Sequence, residues 1–488
     1  MKKNLIKRSV FSAMSVVAVA AMVVVSCQKG VKKDAVHAVH AGTLADCNTE
    51  VVSVPVDDNG IVTVSTLTSD KIWKLDGVSY IADGQTLTIQ PGTTVVTGAK
   101  KSYNDPTYGP QSIAGILVVG RGGKLIADGQ SASTPIVFTT MNQVCSGSCD
   151  TSGVGPSIVM IGKATTNRTT ATRVEGIPQP AGVDITYGGG SYAYDDADNS
   201  GIVRYVRIEF PGFILRPDNE INGLTCAGVG TGTTISYVQV AYSRDDSYEF
   251  FGGTVNADHQ IAQASDDDDF DFDHGFTGHL SYLIGVKDLC STHSRNSSNA
   301  LVSDANGIEA DNDADGSSLT PITHPVIDHL TELGYRNNTT GTVNPYTLLN
   351  GARIRRNAII DLSNSIVAGF PTGMKFDAPS SLPPSTVSNS VVHGYTTAGP
   401  VTSTSFNVTS TATSAATFLA LLGGDDAFLQ CGFSTDYVVD LIQPDPATSP
   451  AVLADGQYAG AIDPNAGSFW TDGWAKFNPH FCCNCPAN

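Results

Sequence analysis

Charged residues make up only 15% of this 488-residue chain, and it contains three tryptophans and six methionines. So few charges cannot solvate the outer faces of many helices, and almost no stretch sustains a 3.6-residue apolar period, which argues against coiled coils and helical bundles. Basic residues are scarcer still, with Lys+Arg 28 against Asp+Glu 47 and a formal charge of -19. A surface of that sign repels nucleic acid and anionic lipid and favours cations, so nucleic acid is excluded as a partner. Beyond residue 25 no window approaches the ~20 apolar residues of a transmembrane helix. No P-loop, dinucleotide fingerprint or nucleophile elbow occurs. What abounds is glycine, at 49 residues, beside a hydrophobic content of 41%. That is the composition of short apolar strands cut by turns. The length exceeds what one ordinary core needs and fits either several domains or one elongated repeat.

The N-terminus carries its own pattern. Lys2, Lys3, Lys7 and Arg8 precede an Ala/Val-rich apolar stretch over residues 12–25, too short to span a bilayer comfortably, which runs into Ser26 and Cys27. This resembles a bacterial lipoprotein signal. The resemblance implies removal of residues 1–26 and diacylation of Cys27; an ordinary secretory signal is the alternative, and export follows from either. Residues 27–50, with Lys29, Lys32, Lys33 and an Ala-Val-His repeat, show no apolar period and read as a tether. The expected location is the outer membrane, reached through the N-terminal lipid. The leaflet stays open, because the residues after Cys27 are basic where surface display is often flagged by acidic ones.

From residue 51 to about 405, β-branched and aromatic runs alternate with Gly, Asn, Asp and Pro, which predicts an all-β region. The run Tyr-Ile-Ala-Asp-Gly-Gln at 80–85 returns as Leu-Ile-Ala-Asp-Gly-Gln at 125–130. Strands beginning Arg204-Tyr205, Ser236-Tyr237 and Ser281-Tyr282 recur at offsets of 32 and 45 residues, near one and two coils of ~20 to 25. A solenoid of three short strands per coil produces such offsets, since one coil cannot bury its apolar face alone. Asn222, Asn256 and Asn306 are its candidate turn residues. A β-sandwich is the alternative, but one this long needs several domains, and no linker is evident. The best helix candidate covers residues 415–422. Residues 406–488, which hold Trp470, Trp474 and a cysteine cluster, are expected to close the solenoid as a C-terminal cap over its last open strand edges. The two tryptophans are read as core packing, with a carbohydrate-stacking platform as the alternative.

Ten cysteines in an exported chain point to disulfides. Once Cys27 is lipidated an odd number remains. Cys145 and Cys149, joined by Ser-Gly-Ser, are the candidates for a small disulfide loop. Cys482, Cys483 and Cys485 could staple the C-terminus to Cys431 or hold zinc, although adjacent cysteines lack the usual C-x₂-C bite. Cys226 and Cys290 sit in apolar contexts and are expected to be buried thiols.

Several runs carry a further likeness: DGVSYIADGQTLTIQPG at 76–92, RYVRIE at 204–209, DNEINGL at 218–224, YEFFGGT at 248–254, DDDFD at 267–271 and WTDGW at 470–474. Together they resemble a family of Bacteroidota outer-membrane lipoproteins and secreted proteins of poorly defined function. That resemblance implies a right-handed parallel β-helix and an envelope location, and it is silent on activity.

The densest chemistry lies between Asp245 and Asp315. Aligning Tyr248-Glu249-Phe250 with Phe270-Asp271-Phe272 gives an offset of 22, one coil, which stacks Glu249 and Asp271 ~4.8 Å apart. Carboxylates so close repel and raise one another's pKa unless a cation, arginines or protonation compensates. Calcium is the expected ion, since it takes six to eight oxygens at flexible sites, and Asp246, Glu249, Asp267, Asp269, Asp271, Asp311 and Asp313 are the candidate ligands. The alternative is an acidic face paired with arginine. A histidine-based metal site from His259, His274, His279 and His293 finds no supporting spacing.

Two function classes follow. The favoured one is a non-catalytic envelope protein, a calcium-stabilised β-helix presenting a face for adhesion, glycan capture or an envelope partner protein. Tyr187, Tyr192, Tyr194 and Tyr248 are its candidate glycan contacts. The other is a calcium-dependent polysaccharide lyase or another glycan-active enzyme, with Arg353 and Arg355 as weak catalytic candidates on one strand face and Arg356 on the other.

Overall fold

The computed structural model describes residues 45–107, 109–146, 149–190, 192–216, 219–287, 305–334, 348–401, 408–410 and 457–477. Twenty-five strands hydrogen-bond into one continuous parallel network, coiled as a right-handed parallel β-helix. One face stacks Val78–Ile81, Ile116–Val119, Ser157–Ile161, Leu224–Val229, Tyr248–Gly253, Phe270–Asp273, Asn306–Ala310 and Asn350–Ile354 in register. The other two faces share the long strands Gly201–Glu209, Thr234–Ala241, Ala257–Gln263, His279–Val286 and Val326–Leu333. Among the described residues no helix is long and apolar enough to cross a membrane.

The predicted coil offsets hold. Arg204 pairs with Ser236, Ser236 with Asp258 and Asp258 with Ser281, so 32 and 45 residues are one and two coils. The Ile-Ala-Asp-Gly repeat is different: Val78–Ile81 stacks on Ile116–Val119, whereas Lys124–Asp128 stacks on Thr86–Ile89. It is a recurrent strand-turn unit used on two faces.

Inward side chains stack coil on coil. Tyr248 lies 5.2 Å from Phe270 with rings 7° apart, and Phe250 lies 5.3 Å from Phe272. All four are buried, and each such pair adds ~0.5–1.5 kcal/mol beyond the area it removes from water. Tyr248 and Tyr187 are therefore core residues rather than glycan contacts, while Tyr194 remains exposed and packs edge-on against Tyr192.

Each long strand turns the corner between its two faces through one left-handed residue: Tyr205, Tyr237, His259, Tyr282 and His329, at φ of 50, 54, 53, 58 and 56°. Aromatic residues rarely adopt this conformation. Here the five rings form a continuous stack, at 4.4, 4.3, 4.9 and 5.1 Å between centroids. Stacking offsets the backbone strain.

The disulfide expectation needs correction. Cys145 bonds Cys47, 98 positions upstream, and not Cys149. A π-helical turn over Asn142–Ser146 carries Cys145 to the N-terminal segment, where the two Cα atoms are 4.8 Å apart. The end of the predicted tether is thus fastened to the coils, aided by Ala45 N–H donating to Thr94 Oγ1 at 3.2 Å. Cys145→Ser is expected to cost about 2–4 kcal/mol locally, read as faster amide exchange over Val51–Ser53 and Ile72–Leu75 with later coils unchanged. Cys226 is a free buried thiol, as expected.

Of the predicted cap, the described residues 457–477 lie along the flank of several coils. Gly460 N–H donates to Asn364 O, Arg207 Nη1 to Trp474 O, and Gln263 Nε2 to Phe477 O. The segment therefore runs back over earlier coils as a strap, and its Trp474 is fully buried against them. The helix candidate at 415–422, Cys27, Cys290, Cys431 and the terminal cysteines lie outside the described residues.

Candidate metal and binding face

The acidic column follows from register. Thr225, Glu249, Asp271, Glu309, Arg353 and Lys375 occupy one outward position on successive coils. Three residues earlier, at the corner entering this face, stand Asn222, Asp246, Asp268, Asn306 and Asn350. Each corner side chain serves the next coil: Asn222 Oδ1 accepts from Asp246 N–H at 3.2 Å, Asp246 Oδ1 from Asp268 N–H at 2.8 Å, and Asp268 Oδ1 from Asn306 N–H at 2.5 Å. Asn350 Nδ2 continues the column onto Asn306 Oδ1 at 2.7 Å. The sequence signal is an Asx followed three residues later by an outward polar group, as in Asn306-Gly-Ile-Glu309. Asn222 and Asn306 were visible as turns, but in the same column Asp246 read only as a ligand and Asp268 was not singled out.

Three groups of carboxylates bring their oxygens within 4.8 Å: Asp245, Asp246 and Asp267; Asp246, Glu249 and Asp271; Asp268, Asp271 and Glu309. Of the predicted ligands, Asp246, Glu249, Asp267 and Asp271 converge. Asp245, Asp268 and Glu309 complete the groups and were missed. Among the described residues no histidine joins any of them.

The remaining three predicted ligands are used elsewhere. Asp269 is wholly buried on a different side of its corner, 3.2 Å from Lys287 Nζ and 2.7 Å from Ser265 Oγ. Asp311 accepts Arg355 Nε at 2.8 Å and Arg356 Nη1 at 2.7 Å. Asp313 closes a local turn by accepting Asp315 N–H and Ser317 N–H. The Asp311–Gly316 segment is a turn closed by these bonds.

The arginines are equally committed. Arg353 Nε donates to Asp377 Oδ2 at 2.9 Å, and Arg355 bonds both Asp311 and Glu309. The strand ends at Ile354, so Arg356 sits in a left-handed turn, φ 49°, and swings back to Asp311 instead of pointing away.

Burial, then mutual repulsion, pushes the carboxyls of Asp245, Asp246, Glu249, Asp268, Asp271 and Glu309 well above their usual range. Asp273, two residues beyond Asp271, is raised to about 7 mainly by burial. Burial lowers His274 to about 3, so it stays neutral and shares a 2.9 Å hydrogen bond with the Tyr187 hydroxyl. Asp271 Oδ1 is buried and finds no hydrogen-bond donor among the described residues. Hard carboxylate oxygens in close groups, one without a donor, fit a divalent cation such as calcium better than they fit a solvated acidic face.

The family described as pectate-lyase like beta helix domain matches residues 60–432. No functionally curated protein matches the sequence. Similar solved structures include full-length tailspike protein 2 of Escherichia coli O157:H7 bacteriophage CAB120, at 10% identity and TM-score 0.26. That match covers 66% of this chain and 34% of the tailspike, so the chain aligns with about a third of its length. The Dettilon tailspike protein is 9% identical, with TM-score 0.26 and 64% and 62% coverage. The periplasmic alginate epimerase AlgG is 10% identical, with TM-score 0.23 and 74% and 82% coverage.

Proposed function

Since the chain belongs to the pectate-lyase-like β-helix family, we propose that it is a non-catalytic cell-envelope protein whose β-helix holds calcium on its acidic face and binds glycan. The observation that carries the calcium reading is the stacked column of Glu249, Asp271 and Glu309, with a buried Asp271 oxygen that no donor among the described residues reaches. Asp246, Glu249 and Asp271 would hold one ion, and Asp268, Asp271 and Glu309 offer the neighbouring position. Calcium there supplies positive charge that lets the carboxylates ionise together. The ion pairs of Arg353 and Arg355 favour a structural role for both, and therefore a binding protein over a lyase that would need a free arginine. Cys27 and the preceding apolar stretch support anchoring to the outer membrane by lipid.

The test is thermal unfolding of the chain from Gln28 onward in calcium and in chelator. At calcium near 100 times Kd, linkage stabilises the fold by ~2.7 kcal/mol, a clear rise in midpoint. Magnesium should give a smaller rise, because it dehydrates reluctantly and demands near-octahedral geometry. Equal midpoints in calcium and chelator would remove calcium from the proposal.

A further inference from the structure

Residues 457–477 do more than cover the aromatic stack. Where the strap crosses it, a concave pocket of about 180 Å³ opens between the two, walled by His259, Tyr282, Tyr458, Phe469 and Trp470, with Asp463 and Ser468 at its polar margin. Tyr458 caps the stack, 4.7 Å from His329. Trp470 stands nearly perpendicular to it, 78° from the His259 ring at 5.0 Å.

The walls are fixed before any ligand arrives. The Trp470 indole N–H donates to Ala461 O at 2.9 Å, and the Trp474 indole N–H to Trp470 O at 2.7 Å. His259 Nδ1 lies 2.5 Å from Asp258 Oδ1. Rigid aromatic walls lose little conformational entropy on binding. Of the larger concavities at the N-terminal coils, that lined by Val62, Ile81 and Leu87 has no aromatic wall among the described residues, and another, of about 230 Å³, sets Tyr80 and Tyr103 beside Lys101.

We propose that this pocket is a sugar-binding subsite that takes one neutral hexopyranose ring of a glycan; the proposal rests on the glycan-binding reading above and gives it a location. The C–H face of a pyranose packs on aromatic surface, while its hydroxyls donate to a carboxylate and a serine at the rim. Charge selects the class. Among the described residues no lysine or arginine lines the pocket, and Asp463 lies within it, with Asp258 beside His259. On a chain of formal charge -19, a uronate ring is repelled and a neutral ring is not.

The test uses the chain from Gln28 onward and its tryptophan fluorescence. Two of the three tryptophans, Trp470 and Trp474, report on this region. Cello-, laminari- and mannohexaose are titrated against oligogalacturonate and benzyltrimethylammonium. A saturable change with at least one neutral hexaose is expected, weakened tenfold or more by both Tyr458→Ala and Asp463→Ala. Asp463→Ala keeps the aromatic walls, so it reads the pocket even if Tyr458→Ala loosens the strap. Tighter binding of oligogalacturonate or the quaternary ammonium would overturn the neutral assignment. Neutral binding unchanged in both variants would overturn the location and leave the glycan reading standing. No binding of any glycan would overturn both.

Discussion

In chelator, lowering the pH from 7 to about 5 is expected to raise the unfolding temperature of this protein, the reverse of ordinary acid destabilisation. A carboxyl whose folded pKa is raised binds its proton more tightly in the native state than in the unfolded one. Its contribution is fully present below the unfolded value near 4 and is lost as pH rises through the folded value. Asp245, Asp246, Glu249, Asp268, Asp271 and Glu309 all behave this way, and Asp273 loses its contribution near 7. His274 and His393, lowered to about 3 and about 4 by burial, oppose the trend below pH 6.5, but the raised carboxyls outnumber them. Below pH 4 the gain ends. Despite partial burial, hydrogen bonds from Arg204 and Arg353 hold Asp128 and Asp377 below the usual range, and their contributions then fade. A tenfold difference in proton affinity between the folded and unfolded chain is worth ~1.4 kcal/mol. Several such groups at ~2 °C per kcal/mol give a rise on the order of 5 °C or more. Calcium should flatten or invert the slope, because it stabilises the ionised forms. A midpoint that falls steadily from pH 7 to 5 in chelator would contradict the buried-carboxyl assignment.

Lys287→Met is expected to cost about 3–5 kcal/mol, the largest effect of a single substitution outside the aromatic core. Lys287 is fully buried and lies 3.2 Å from Asp269 and 2.7 Å from Ser265 Oγ. Burial raises the carboxyls of Asp269 and Glu332, and Lys287 opposes the rise in both. Without the ammonium, two buried acids must protonate or remain uncompensated. Urea unfolding measures the loss. Lys287→Met combined with Asp269→Asn and Glu332→Gln should recover more than half of it, since neutral amides remove the unpaired charge. A single variant as stable as the parent would show that this cluster does not depend on its cation.

The acidic coils were legible because they are short. Between Tyr248 and Phe270 nothing is inserted, so 22 residues separate equivalent positions and Glu249 falls on Asp271. The next pair in the column, Asp271 on Glu309, is 38 positions apart instead of 22, and Glu309 escaped the same alignment. The Cys47–Cys145 bond spans 98 positions and has no local signature, whereas Cys145 and Cys149 offered a short loop that chain proximity favours. Left-handed corners at tyrosine and histidine ran against local preference, which reserves such conformations for glycine and asparagine. Only stacking on the neighbouring coils stabilises them, and no single coil contains that information. The same corner does pass to Asn364 and Asn389 at φ 48 and 50°, where preference and position agree. The direction of the strap was equally hidden. Trp470 and Trp474 announced a buried aromatic patch, but residues 457–477 meet earlier coils through contacts such as Arg207 to Trp474, separated by 267 positions.

Calcium titration by calorimetry most directly tests the claim that the acidic column is a cation site. It requires the chain from Gln28 onward, stripped of metal, beside the Asp271→Asn, Glu309→Gln double variant. The account predicts saturable binding in the parent, with at least tenfold weaker affinity in a double variant that remains folded at the same temperature. No calcium-specific heat in the parent, or equal affinity in both proteins, would contradict it and leave the column as a set of protonated acids held by Arg355 and the Asx corner.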